Sequence, residues 1–254
     1  MKFIEYLKRR SKNKTFLGII IAFTSISFGI GVNFVFLKKT RNAIMAFCFM
    51  LFALVALLLE HFLKIEFPPL FLALAFVLAL GGLTGTVFDF YHKYPNLDLF
   101  LHCLSGFLFS CLGFTLCTLF LKNYDLRRLF NLCLTFGLLF SLTIALLWEL
   151  FEYGSSLLFN VDMNEDSFVN CFKSFALANS HNDIIVIDNI DQTIINYQNG
   201  KQYIIDGYLD LGLIDTIGDM AICFLGAIIF FISAKIDNSK SIFYKILIPK
   251  YIKE

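Results

Sequence analysis

Charge is what this sequence has least of. Only 16% of its 254 residues are Asp, Glu, Lys or Arg, where a soluble domain carries about 25%, so an ordinary water-soluble fold is excluded. Paired thiols are missing as well. The seven cysteines include no C-x-x-C, and all but Cys171 lie in apolar segments, which argues against a disulfide framework and against a thiolate zinc site. There is no glycine-rich phosphate loop and no basic stretch interleaved with aromatics; nothing points to a nucleotide cradle, and no nucleic-acid partner is expected. Internal repeats are absent, which counts against a carrier built from inverted halves.

What the sequence has in place of charge is long apolar runs. With 58% hydrophobic residues and a mean hydropathy of +0.73, it reads as an all-α polytopic integral membrane protein of about six transmembrane helices, with the lipid bilayer as its first partner. The basic segment 1–14 precedes a first span at 15–37, which has no A-x-A cleavage site and so reads as retained rather than as a signal peptide. Further spans fall at 43–63, 67–88, 97–121 and 129–159, making 15–159 a block of five. The fifth is longer than one bilayer thickness, so its end is expected to project or to break at Gly154. Residues 160–208 are polar, rich in Asn and Asp, and carry short β-branched runs with Asn199-Gly200 as a hairpin turn; they read as an extramembrane loop or insertion. A sixth span at 209–234 leads to a basic tail, 235–254, in which 242–252 is expected on the membrane surface. With the N-terminus inside, 15 of the 21 Lys and Arg fall on the inner side. The positive-inside rule then places both termini in the cytoplasm and 160–208 outside.

This topology gathers the intramembrane ionisable groups. Asp98, His102 and Gly106 recur every four residues and form one stripe of the fourth span; Glu149 and Glu152 share an edge near the outer end of the fifth; Asp215 and Asp219 share a face of the sixth. All six ionisable groups fall at one depth, with Asp89 and His92 in the turn before the fourth span. Gly106, Gly113, Gly218 and Gly226 supply small residues for close helix packing. No Lys or Arg lies in these three spans, so the carboxylates must share protons, meet water, hold a metal or receive a cationic ligand. Each group also has a structural reading: Asp98 and Asp215 as helix caps, Glu149 and Glu152 as the wet edge of a Trp148 and Tyr153 belt, and His102 as a packed core histidine. Glu60 and His61, at the inner end of the second span, read as ordinary interfacial residues.

In order along the chain, D-x-x-x-H-x-x-x-G at Asp98, His102 and Gly106, then Trp148-Glu149-Leu150-Phe151-Glu152-Tyr153, then Asp215-Thr216-x-x-Asp219-Met220 resemble the YjdF-like bacterial inner-membrane proteins; a more distant likeness is to VanZ-like membrane proteins. The resemblance implies a polytopic protein of the bacterial inner membrane with a polar site, and no particular reaction. The chemistry suggests one. Three carboxylates and an imidazole suit Mg²⁺, Mn²⁺, Fe²⁺ or Zn²⁺, with Asp98, His102, Asp215 and Asp219 as ligands and Glu149 or Glu152 as general base. That makes a metal-dependent hydrolase or transferase acting on a lipid-linked substrate. The competing readings are a proton- or cation-coupled transporter and a structural or assembly protein.

Overall fold

In hydrocarbon a backbone has no hydrogen-bond partner but itself, so uncharged runs of about 20 residues fold as helices. The computed structural model describes residues 3–94, 96–159, 161–178, 180, 183–237 and 246–252. Among the described residues six helical spans are long and apolar enough to cross a membrane: α2 (Lys14–Phe36), α3 and α4 (Thr40–Phe49 and Leu51–Leu63), α5 (Pro69–Val87), α7 (Asn96–Phe120), α8 (Leu126–Leu158) and α9 (Leu213–Asp237). Two short helices, α1 (Phe3–Arg10) and α6 (Phe90–Lys93), precede α2 and α7. The second span starts three residues earlier than its apolar run and is two helices that meet at Met50. Gly154 does not interrupt α8, which runs unbroken for 33 residues, roughly 50 Å at 1.5 Å per residue. The chain divides into two compact units: residues up to Leu146 together with those from Asp219 on, and residues from Leu147 to Gly218.

The core of the first unit is aromatic and aliphatic, with Phe16 and Phe23 of α2, Leu72 and Phe76 of α5, Leu108 and Phe114 of α7 and Phe230 of α9 all buried. Phe23 stacks on Phe76 with ring centroids 4.0 Å apart. Both ends of the described chain are fastened to this unit. Two strands, β1 (Ile65–Glu66) and β8 (Lys250–Tyr251), pair antiparallel, and Leu247 and Ile248 are buried. Leu247 and Ile248 of the tail thus pack into the protein core while Ile246 and Tyr251 stay exposed; residues 242–245 of the stretch expected on the membrane surface lie outside the described residues.

Glu60 overturns its interfacial reading. It is fully buried and accepts from Arg10 through Nε at 2.9 Å and Nη2 at 2.8 Å, from the Tyr6 hydroxyl and from the Phe67 amide. His61 beside it packs on Phe3 and Tyr6. Helix α1 is thus pinned to the end of α4 by a bidentate ion pair with every carboxylate oxygen answered. Tyr6 lies outside the spans, and burial with the adjoining Glu60 carboxylate pushes its phenol well above the ordinary range.

Among its described residues the second unit holds six short strands between α8 and α9: β2 (Phe168–Val169), β3 (Phe172–Ser174), β4 (Ile185–Ile187), β5 (Gln192–Tyr197), β6 (Lys201–Asp206) and β7 (Tyr208–Leu209). They pair antiparallel as β2 with β7, β3 with β4 and β5 with β6. The β5–β6 hairpin turns at Asn199 and Gly200, whose φ of 61° and 73° are both left-handed, the geometry for which Asn-Gly is favoured. Asp210 organises the base of the insertion, accepting from Ser167 N at 2.7 Å, Gly212 N at 3.3 Å and Ile214 N at 2.8 Å. The start of α9 at Leu213, not 209, follows from this: Tyr208 and Leu209 are in a strand, and Asp210 ties the turn at Gly212.

Candidate metal-binding site

Helices α7 and α9 set the geometry. They run in the same direction, since His102 faces Asp219, Gly106 faces Cys223 and Phe107 faces Phe230. Their approach is closest where glycines stand. A Cβ on Gly106 would overlap the carbonyl oxygen of Cys223, and one on Gly226 would overlap that of Cys103, so each helix presents a bare backbone to the other's carbonyl. Gly113 serves the α7–α8 contact in the same way, against Phe140 and Gly137. The fourth expected packing glycine does not: among the described residues nothing lies within 4 Å of a Cβ on Gly218, because it sits on a face without a close neighbour. Below the closest approach Ser141 donates to Gly106 O at 2.9 Å, and Ser105 and Ser141 each lie 3.9 Å from the Cys223 sulfur.

One turn above Gly106, His102 Nε2 lies 3.3 Å from Asp219 Oδ2 and 3.7 Å from Asp98 Oδ1. All three ligand atoms fall within 4.8 Å of one another. Asp219 is 3% exposed, and the His102 and Asp98 side chains 13% and 28%, so Asp98 is the most open of the three. At metal–ligand bonds of ~2.1 Å, neighbouring donors stand ~3.0 Å apart in an octahedron and ~3.4 Å apart in a tetrahedron. The two separations from His102 Nε2 are close to those edges.

Of the six site residues expected from the sequence, Asp98, His102 and Asp219 come together in the first unit. The other three belong to the second. Asp215 is half-buried in the first turn of α9. Glu149 and Glu152 are 5% and 8% exposed, with a carboxylate oxygen of each within 4.8 Å of the other, and Glu152 Oε1 accepts from Trp148 Nε1 at 2.8 Å. Trp148 and Tyr153 are exposed, while the glutamates between them are buried and not at a wet edge. Asp89 and His92, 3.8 Å apart, pair with each other at the surface.

With this geometry in place, the comparison with known families is decisive on one point. The profile of a family described as predicted membrane protein, DUF2238, matches residues 14–239. The chain belongs to the DUF2238 family. The match takes in all six spans, the insertion and every residue of the candidate site. No curated protein and no solved structure matches the chain.

Proposed function

We propose that this DUF2238 protein is a divalent-metal-dependent membrane enzyme, a hydrolase or transferase acting on a membrane-associated substrate, with Asp98, His102 and Asp219 as metal ligands. The single observation that carries the reading is the position of His102 Nε2 between two carboxylate oxygens, 3.3 and 3.7 Å away, in two spans with no Lys or Arg between Asn96 and Ala234 in either. The two spans bring no Lys or Arg to the cluster, so beside His102 a proton or a bound cation would balance its carboxylates, which are costly to bury as charges. A divalent ion held there would act as Lewis acid and would lower the pKa of a bound water. The oxygen-rich set with one imidazole suits Mn²⁺ or Fe²⁺, then Mg²⁺ or Zn²⁺. Asp215 is proposed as a further ligand and Glu149 or Glu152 as general base, on the chemistry of their residue types. The motif order shared with YjdF-like proteins, and the excess of Lys and Arg on one side, support a place in the bacterial inner membrane with both termini cytoplasmic.

A transport role is less well supported. Below the cluster Thr115 and Thr118 donate to carbonyls of their own helix and the buried Ser110 hydroxyl has no hydrogen-bond partner among the described residues, which gives little support to a continuous relay. The test is a lipid-substrate screen: protein reconstituted in vesicles, with release of soluble head groups from phospholipid and polyprenyl-phosphate esters followed with Mn²⁺ and with chelator. Release that needs Mn²⁺ and falls at least a hundredfold in Glu149→Gln or Glu152→Gln supports the reading. Cation flux across the vesicle wall with no chemistry would replace it by transport.

A further inference from the structure

A second site lies in the first unit, where α2 and α5 begin. Here a cavity of about 440 Å³ is walled by Phe67, Leu70 and Ile246 and bordered by Arg10, Asn13, Glu66 and Lys250. We propose that it binds the phosphate head group of a membrane phospholipid.

The charge balance selects an anion. Arg10 is committed to Glu60 and to the Phe67 carbonyl, and Glu66 is paired with Arg9 at 2.6 Å. That leaves Lys250, which makes no ion pair among the described residues, as the spare charge on the wall. Asn13 supplies a neutral donor beside it. Its Oδ1 accepts from Phe16 N at 3.1 Å as the cap of α2, so its amide N–H groups remain for a ligand. The first turn of α5, begun by Pro69, adds the favourable end of a helix dipole to the same space.

The apolar walls select a lipid over a free anion. Leu70 and Ile246 are 40% and 42% exposed, and Leu70 stands in the first turn of a membrane span, so the cavity opens where hydrocarbon starts. An inorganic phosphate gains nothing from those side chains, whereas a glycerophospholipid places its phosphate against Lys250 and Asn13 and its acyl chains along Leu70 and Ile246.

The test uses the full chain, purified in detergent and stripped of lipid, with phosphatidylglycerol returned and counted by native mass spectrometry. Asn13→Asp combined with Lys250→Glu reverses the local charge while keeping a good helix cap, since Asp caps as well as Asn. The expected result is one tightly held lipid on the wild type and at least tenfold weaker retention by the double variant at unchanged metal content. Equal retention overturns the proposal, and so does displacement of the lipid by millimolar inorganic phosphate, which would make this a free-anion site. Should the double variant not fold, wild-type protein photolabelled with a head-group-tagged phospholipid decides the matter: label on peptides holding Pro69–Leu70 or Ile246–Lys250 supports the site, and label only elsewhere overturns it.

Discussion

Glu60 and Asp219 are both buried carboxylates, and they differ in what answers their charge. Glu60 meets a guanidinium from its own chain, while Asp219 meets His102 in spans that offer no Arg or Lys. Removing the guanidinium should therefore be severe. Arg10→Met is expected to cost about 3–5 kcal/mol by leaving Glu60 buried without its cation, and Arg10→Met with Glu60→Leu to recover only part of it, since the Tyr6 hydroxyl and the Phe67 amide then lose their acceptor; denaturation in detergent measures both. Asp210 carries a pH dependence of its own. Burial raises its carboxyl, but the backbone N–H groups of Ile214, Ser167, Gly212 and Asp210 itself together outweigh burial and hold it below the ordinary carboxylate range. A depressed folded value means stability that is present above the ordinary carboxylate range and lost as pH falls through the lowered value. Protection of the Ser167 and Ile214 amides from hydrogen exchange, corrected for intrinsic rate, should fall with acid in that window, and Asp210→Ala should remove the dependence. Protection that stays flat in the wild type would contradict this role for Asp210.

At the level of elements, the α7–α9 contact depends on having no side chain at two positions. Gly106→Ala should force the helices apart, with a cost of about 1–3 kcal/mol and loss of metal, whereas Gly18→Ala on α2, where nothing lies within 4 Å, should be neutral or slightly stabilising. Thermal melts of the two variants make the comparison. Much of this was legible in the sequence. Asp98, His102 and Gly106 share a face by helical arithmetic alone, and Gly226 declared the close-packed side of α9. The axial offset between the helices was not legible, because Asp215 and Asp219 lie on the same face and only the seating of Gly106 on Cys223 chooses Asp219 for His102. Glu60 was misread for a related reason. Its cation stands 50 residues earlier in a basic run that looks solvated, and nothing local shows that α1 folds back over α4. The two- and three-residue strands of the insertion were hidden too, since pairing such as Phe168 with Leu209 depends on Asp210 closing the turn, whereas Asn199-Gly200 announced its hairpin by backbone preference.

For the whole molecule, the topology proposed from the Lys and Arg distribution has both termini in the cytoplasm and the polar insertion outside. Cys171 is exposed and is the one cysteine in the polar insertion. A membrane-impermeant maleimide added to intact cells should label it, and labelling only after lysis would invert the topology. The central claim is that the polar groups of α7 and α9 hold an ion. The most direct measurement is the metal content of the purified protein by mass spectrometry after mild chelation and re-addition of Mn²⁺, Fe²⁺, Zn²⁺ or Mg²⁺, for wild type, His102→Ala and Asp219→Asn, each confirmed folded. One divalent ion per wild-type chain and at least a tenfold loss in both variants are expected. No specific metal in the wild type, or equal metal in all three, would contradict the claim.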